Sequence, residues 1–262
     1  ALPMTTFATW NVNSLRARLD HLRTWLADHP LDVVALQETK VQDADFPLAP
    51  LKDAGYFVTY RGMKAYNGVA TLTLAEPTLV AHGFDERPDN EDVRLLRVEV
   101  GGVTIVNSYV PQGYAIDSDK YRYKLDFFRR LREYFETYLD PGRAAVWLGD
   151  LNIAPEPIDV YHPEKRVNDP DFHIDARNAF KAAAAWGFTD VFRQLHPDRV
   201  QYTYWDYFRR AFEHNWGWRI DHILATPPMA VRCRAADVDV EPRKSKDASD
   251  HTILWAEFGE PA

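Results

Sequence analysis

Short apolar runs recur along the chain, and several are separated by amphipathic stretches. The runs at 7–10, 33–36, 69–74, 95–100, 103–109, 145–148, 220–225 and 253–258 predict strands. Helices are predicted at 15–28, 121–139 and 175–186; the first places Leu15, Leu19, Leu22 and Leu26 on one face. Gly187 follows the third helix as a natural stop. Helices alternate with strands in the first third, whereas strands succeed one another from 69 to 109. That mixture predicts a layered α/β domain with mixed sheets rather than a purely parallel one. No linker, repeat or low-complexity tract divides the chain. A single domain over residues 4–260 is expected, with Ala1-Leu2-Pro3 a remnant ahead of a natural start at Met4.

Several predicted strands end abruptly in polar groups. Phe7–Trp10 runs into Asn11 and Asn13, and Val33–Leu36 into Gln37-Glu38. Val103–Val106 runs into Asn107-Ser108-Tyr109, and Ala145–Leu148 into Gly149-Asp150-Leu151-Asn152. Buried strands that end this way deliver carboxylates and amides to one rim of a sheet, where crevices of open α/β sheets lie. Ser249-Asp250-His251 stands instead at the start of a strand, and joins that rim only if the strand runs antiparallel to the others. Taken singly, each group has a plain reading: Asn and Asp favour turns, Glu38 can pair with Lys40, and Asp250 can cap a helix. Taken together, several carboxylates on one rim call for a cation or a proton-transfer role.

Composition narrows the chemistry. The 262 residues carry 31 Lys+Arg against 39 Asp+Glu, a net charge of −8, so overall charge alone would not hold nucleic acid. One cysteine, Cys233, excludes an internal disulfide framework and a multi-cysteine zinc site; a thiol without a role is expected. No apolar run approaches the ~18 residues of a membrane span. A cytoplasmic protein with no membrane partner is expected. Oxygen donors such as Glu38, Asp150, Asp250 and the Asn11 amide suit Mg²⁺ or Mn²⁺, and point to metal-assisted phosphoester hydrolysis. No GxSxG, GxxxxGK[ST] or GxGxxG motif offers another route. Residues 202–218 hold eight aromatics where the chain average of 13% predicts about two, with Arg209 and Arg210 among them. Core packing and a platform for a sugar or base are the two readings of that segment.

In order along the chain, Trp10-Asn11-Val12-Asn13-Ser14-Leu15-Arg16-Ala17, Leu36-Gln37-Glu38-Thr39-Lys40, Tyr66-Asn67-Gly68-Val69-Ala70 and Asn107-Ser108-Tyr109-Val110-Pro111-Gln112-Gly113 form a series. Gly149-Asp150-Leu151-Asn152-Ile153-Ala154-Pro155, Gly217-Trp218-Arg219-Ile220-Asp221 and Ser249-Asp250-His251 continue it. The series resembles the exonuclease III family of DNA repair enzymes, within the endonuclease/exonuclease/phosphatase superfamily, from about Thr5 to Phe258. The resemblance implies a four-layered α/β sandwich, two mixed β-sheets packed face to face and flanked by helices. It implies an AP endonuclease of exodeoxyribonuclease III type, a monomer that cuts double-stranded DNA 5′ to abasic sites and trims 3′ ends.

Carried over by position, the resemblance makes Glu38 the principal metal ligand, with Asn11 and Asp250 close to the same ion. Asp150 orients the attacking water and Asn152 holds it in line. His251, paired with Asp221, contacts the scissile phosphate, as does Tyr109. Tyr204, Trp218 and Ile220 form a pocket for a sugar lacking its base. Asn13 stands where Asp is common, Gln112 where many relatives have Asn, and His222, where aromatics are common, is expected to pack. Arg166 and Asn168 are candidates for phosphate contact; Lys40, Lys64, Arg122, Lys124, Arg209 and Arg210 are candidates for basic strips on the DNA side. The acidic run at 85–92 is expected to be a solvated loop facing away from DNA. Two other readings stay open: a phosphatase acting on inositol or lipid phosphates, and a DNA binder without catalysis.

Overall fold

The computed structural model describes residues 6–84 and 93–261, so the acidic run at 85–92 lies outside the described residues. One six-stranded sheet has the order β13 (Cys233–Asp239), β14 (Ile253–Phe258), β1 (Thr6–Asn11), β2 (Val33–Gln37), β4 (Val69–Thr73), β3 (Phe57–Arg61). The other has the order β5 (Leu79–His82), β6 (Leu95–Val100), β7 (Val103–Tyr109), β8 (Ala145–Asp150), β12 (Asp221–Ala225), β9 (Thr189–Asp190). A two-stranded ribbon joins β10 (Tyr204–Trp205) to β11 (Gly217–Trp218). The α-helices are α1 (Leu15–Asp28), α2 (Leu48–Asp53), α3 (Asp119–Tyr138), α4 (Ile174–Ala184), α5 (Val191–Leu195), α6 (Pro227–Ala230) and α7 (Glu241–Lys244).

Strand alternation builds the layers. Along β1, Phe7 faces the second sheet, whereas Ala8 and Trp10 face α1. Phe7, Val33 and Ala35 of the first sheet meet Ile105, Val146 and Leu148 of the second in a dry interior. Leu22 and Leu26 of α1 cover the outer face of the first sheet over Val34 and Leu36. Phe128 and Phe135 of α3, with Phe180 of α4, cover Val106 and Trp147 on the outer face of the second. The result is the expected sandwich of helix, sheet, sheet and helix. Trp147 is fully buried among these rings, and truncating it to Ala would cost about 3–5 kcal/mol.

Strand direction positions the site. Among the described residues, only β1–β2 and β7–β8 are parallel pairs, bridged by crossovers that contain α1 and α3; every other sheet pairing is antiparallel. Four strand ends therefore point one way, while β12 and β14 start at that same rim. The antiparallel requirement for Ser249-Asp250-His251 is met by β14 against β1. Gly149 lets β8 approach β7: at φ +146°, an added Cβ would lie 1.9 Å from the Ser108 carbonyl oxygen.

Differences from the predicted elements have local causes. Ser118 caps α3 two residues earlier than expected, its hydroxyl accepting from the Tyr121 amide. β1 and β8 continue through Asn11 and Asp150, because these polar residues stay in register with their neighbours. Of the unpredicted strands, β3, β5, β9 and β13 are sheet edges without a fully buried apolar run, and β10 and β11 form the short ribbon.

Candidate active site

Backbone conformation aims the acidic groups. Glu38 is the first residue past β2 and has φ +52°; Asn152, two beyond β8, has φ +46°. A non-glycine residue in this region costs about 1–3 kcal/mol and persists only where its surroundings over-determine it. At Glu38 the surroundings include the Asn11 side-chain amide, which donates to Oε2. That amide also donates to Asp150 Oδ2 at 2.9 Å, joining the ends of the two sheets. Asp150 Oδ1 accepts from the Asn152 amide at 3.0 Å. Tyr109 and Asp221 flank Asp150 in register on the neighbouring strands.

His251 lies between two carboxylates. Its Nδ1 is 2.8 Å from Asp221 Oδ2, and its Nε2 is 3.5 Å from Asp150 Oδ2. Burial alone would favour a neutral imidazole, but Asp221 and Asp150 outweigh it and raise the His251 pKa well above the usual value. Asp150 is pushed well up by burial, against the opposing pull of His251, with the charges of Asp221 and Glu38 adding to the rise. Burial, then Glu38 and Asp150, raise the Tyr109 phenol, which also hydrogen-bonds Glu38, so it is a proton donor at neutral pH. Asp221 Oδ1 is buried without a hydrogen-bond partner.

Glu38, Asp150 and His251 bring ligand-type atoms within 4.8 Å of one another. The charge balance decides what such a cluster can hold. His251 is tied through Nδ1 to Asp221, and the neighbouring carboxylates favour its imidazolium over a neutral metal-binding ring. Four carboxylates, Glu38, Asp150, Asp221 and Asp250, face two cations, His251 and Lys40, whose Nζ is 3.7 Å from Glu38 Oε1. Burial resists the joint ionisation of these carboxylates, and the donors they offer are oxygen, which fits a hard divalent cation. Asp250 lies outside the tight group; burial raises its pKa, opposed by His251 and reinforced by Glu38.

The remaining predicted residues fall in distinct places. Tyr204 stacks obliquely on His251, with centroids 4.9 Å apart, and pairs across the ribbon with Trp218. Trp218 packs beside Val160 and Phe172, whereas Ile220 is 2% exposed and so is buried rather than open to a ligand. Gln112 is exposed, its amide 3.4 Å from Asp171. Lys40 reaches the centre, donating to Asn13 Oδ1 at 2.6 Å. Lys64, Arg122, Asn168, Arg209 and Arg210 are exposed; Arg122 pairs with Asp119 and Arg210 with Glu213. Arg166 lies over the Tyr161 ring and faces Asp169 at 3.5 Å.

Three expectations need correction. Lys124 is no part of a basic strip: its side chain is wholly buried, 2.9 Å from Asp171, because three loop carbonyls and that carboxylate need a donor. His222 does more than pack, since it meets the Ile153 carbonyl at 2.7 Å and Arg219 at 3.2 Å. Asn107 does not reach the rim but joins Gln37 between the sheets at 3.0 Å. Sequence reasoning also missed the buried set of Arg219, Asp159 and Asp190. Its one sequence signal is an arginine between Trp218 and Ile220, two residues inside the pocket segment. Burial raises the Cys233 thiol to about 11, in keeping with a thiol without a role. Among the described residues, no helix is long and apolar enough to cross a membrane.

The pattern of the Endonuclease/Exonuclease/phosphatase family matches residues 8–251. Exodeoxyribonuclease III of Haemophilus influenzae is 34% identical over 266 residues, spanning 96% of this chain and 99% of that protein. An AP endonuclease from Archaeoglobus fulgidus superposes with a TM-score of 0.94 at 46% identity, over 97% of this chain and 99% of that one. The 3′ phosphatase NExo from Neisseria, bound to a product DNA hairpin, gives 0.93 at 38% identity, over 98% of this chain and 100% of that one. With its rim of carboxylates around a charged histidine, this chain belongs to the endonuclease/exonuclease/phosphatase family.

Proposed function

We propose that the protein is a Mg²⁺-dependent DNA repair phosphodiesterase, with Mn²⁺ as a substitute, that cuts double-stranded DNA 5′ to abasic sites and trims 3′ ends. Hydrolysis of DNA phosphoesters is what its named relatives share: an exodeoxyribonuclease, an AP endonuclease and a 3′ phosphatase seen with DNA. The observation that carries the reading is His251 held between Asp221 and Asp150, beside Glu38, in a cluster where carboxylates outnumber the basic groups they meet. Glu38 would hold the ion, with Asn11 and Asp250 close by. Bound there, it supplies positive charge to the phosphoryl oxygens of the substrate.

The chain's own groups do the rest. Asp150, fixed by the Asn11 and Asn152 amides, orients a water and takes its proton as the oxygen attacks phosphorus. His251 donates from Nε2 to a phosphoryl oxygen as charge builds there. Tyr109 gives its proton to the departing 3′ oxygen, which leaves a 3′ hydroxyl on one strand end and a phosphate on the other. Tyr204 and Trp218, on Ile220, receive a deoxyribose with no base to unstack. Gln112, Arg166, Asn168, Lys40, Lys64, Arg122 and Arg209 hold flanking phosphates. The core shared by strands from Phe7 to Phe258 supports one catalytic domain over residues 4–260, acting as a monomer, and a lone cysteine accords with the cytoplasm.

An end-labelled duplex carrying one abasic analogue, beside an intact duplex, tests this with Mg²⁺ and with EDTA. The expected result is one Mg²⁺-dependent cut at the lesion plus slow shortening from 3′ ends. A folded protein that leaves both duplexes intact would sink the reading and favour a phosphatase of small phosphates or an inactive binder.

A further inference from the structure

Lys124 occupies the buried face of α3 beside Tyr121 and Phe128, where the helical pattern calls for an apolar residue. Burying an ammonium costs several kcal/mol unless every hydrogen is used. Here each one is. Nζ donates to the carbonyls of Asn152 at 2.5 Å, Pro170 at 3.0 Å and Gln112 at 3.1 Å, and to Asp171 Oδ1 at 2.9 Å. Four acceptors share three hydrogens. They come from three loops that converge on the rim: the one after β7, the one after β8, and the one before α4.

Asn152 is the member of this set nearest the chemistry. Its amide donates to Asp150 Oδ1, its side-chain nitrogen to the Val110 carbonyl at 2.8 Å, and its own carbonyl accepts from Lys124. Three of its four polar atoms are thus committed, and the left-handed backbone leaves no slack. Among the described residues no donor meets the fourth, Oδ1.

We propose that Lys124 and Asp171 are a positioning pair: the buried ammonium clamps the Asn152 carbonyl so that Oδ1 is left to accept from the attacking water, and ties the loops at 112 and 170 to that same point. This rests on the hydrolase reading above as far as rate is concerned, and on the loop linkage independently of it. Neither side chain touches substrate. A misplacement of about 1 Å at a catalytic group lowers turnover by about 10²-fold, which sets the effect to look for.

The pair is tested with Lys124→Met, which leaves Asp171 unpaired and is at risk of unfolding, and with Lys124→Met/Asp171→Asn, which removes both charges. Each is made with and without Asn152→Ala. If the pair positions Asn152, the double variant regains much of the melting temperature that Lys124→Met loses, yet its kcat on abasic duplex at a temperature where it is folded stays about 10²-fold low. In that background Asn152→Ala costs only a few fold more, whereas in the wild type it costs about 10²-fold. Recovery of kcat together with melting temperature, or an undiminished cost of Asn152→Ala, overturns the proposal. Hydrogen exchange supplies a readout free of the nuclease reading: amides at 110–113, 150–154 and 169–172 exchange faster in the folded double variant. Unchanged exchange in those loops overturns the linkage, whereas a wild type that cuts no DNA sinks only the nuclease reading.

Discussion

Two clusters of buried charge lie on either side of the β11–β12 junction, and their balance differs. Around Arg219, the carboxylates of Asp159 and Asp190 meet two guanidiniums, those of Arg219 and Arg193, at 2.5–2.8 Å. Burial would raise Asp190, but Arg219 and His222 overcome it and hold the carboxyl well below its usual range. Around His251, carboxylates outnumber cations, and Asp150 is pushed the other way. The neutral cluster locks the ends of β9, β11 and β12 together. The charged one is held in place by the fold against its own repulsion, the condition of a site completed by an external cation.

Substitutions should separate the two. Asp150→Asn should lower turnover on abasic duplex by about 10³–10⁴-fold, while melting in EDTA stays the same or rises as repulsion is relieved. A large loss of stability in that variant would mean that the cluster is structural. Arg219→Met should do the reverse: it deprives Asp190 of its guanidinium and leaves Asp159 to Arg193 alone, at a cost of about 3–5 kcal/mol, and lowers the melting temperature by about 10 °C or more. Turnover per folded molecule should stay near wild type at a temperature where the variant is folded.

The pH dependence of metal-free stability should divide the same way. Asp190 has a depressed folded pKa, so its contribution is present above the unfolded carboxylate value of about 3.9 and lost as pH falls through the folded one. His251 has a raised folded pKa, so its contribution is present below about 6.5 and lost as pH rises through the folded value. Asp150, also raised, acts in the same alkaline direction. In EDTA, His251→Gln should flatten the alkaline limb of a melting profile and Asp190→Asn the acid limb. Saturating Mg²⁺ should restore alkaline stability in the wild type, since it binds only the folded cluster. The smallest effect belongs to the exposed periphery. Arg209→Gln should lessen the salt dependence of kcat/KM by about one charge's worth, with unchanged melting, if Arg209 meets a phosphate.

The central strands were legible because their apolar runs are buried on both faces, as in β2, β4 and β8, where every residue is buried. Edge strands such as β5 alternate between half-buried and exposed positions and carry no comparable signal. The same limit applies to charge. Lys124 reads as a basic residue of the surface, because nothing local distinguishes a lysine that meets Asp171 from one that meets water.

What the order of residues determined by itself was the set of groups at the strand ends, from Asn11 and Glu38 to Asp250 and His251, since strand ends and their polar caps are local features. Only the tertiary structure decided which of them meet. The Asn11 amide spans the two sheets to Asp150, and antiparallel β14 returns His251 to the rim that the parallel pairs had formed. Distance and burial together then set the charges: a histidine beside Asp221 in water would titrate near neutrality, and the same histidine sealed between two carboxylates keeps its proton.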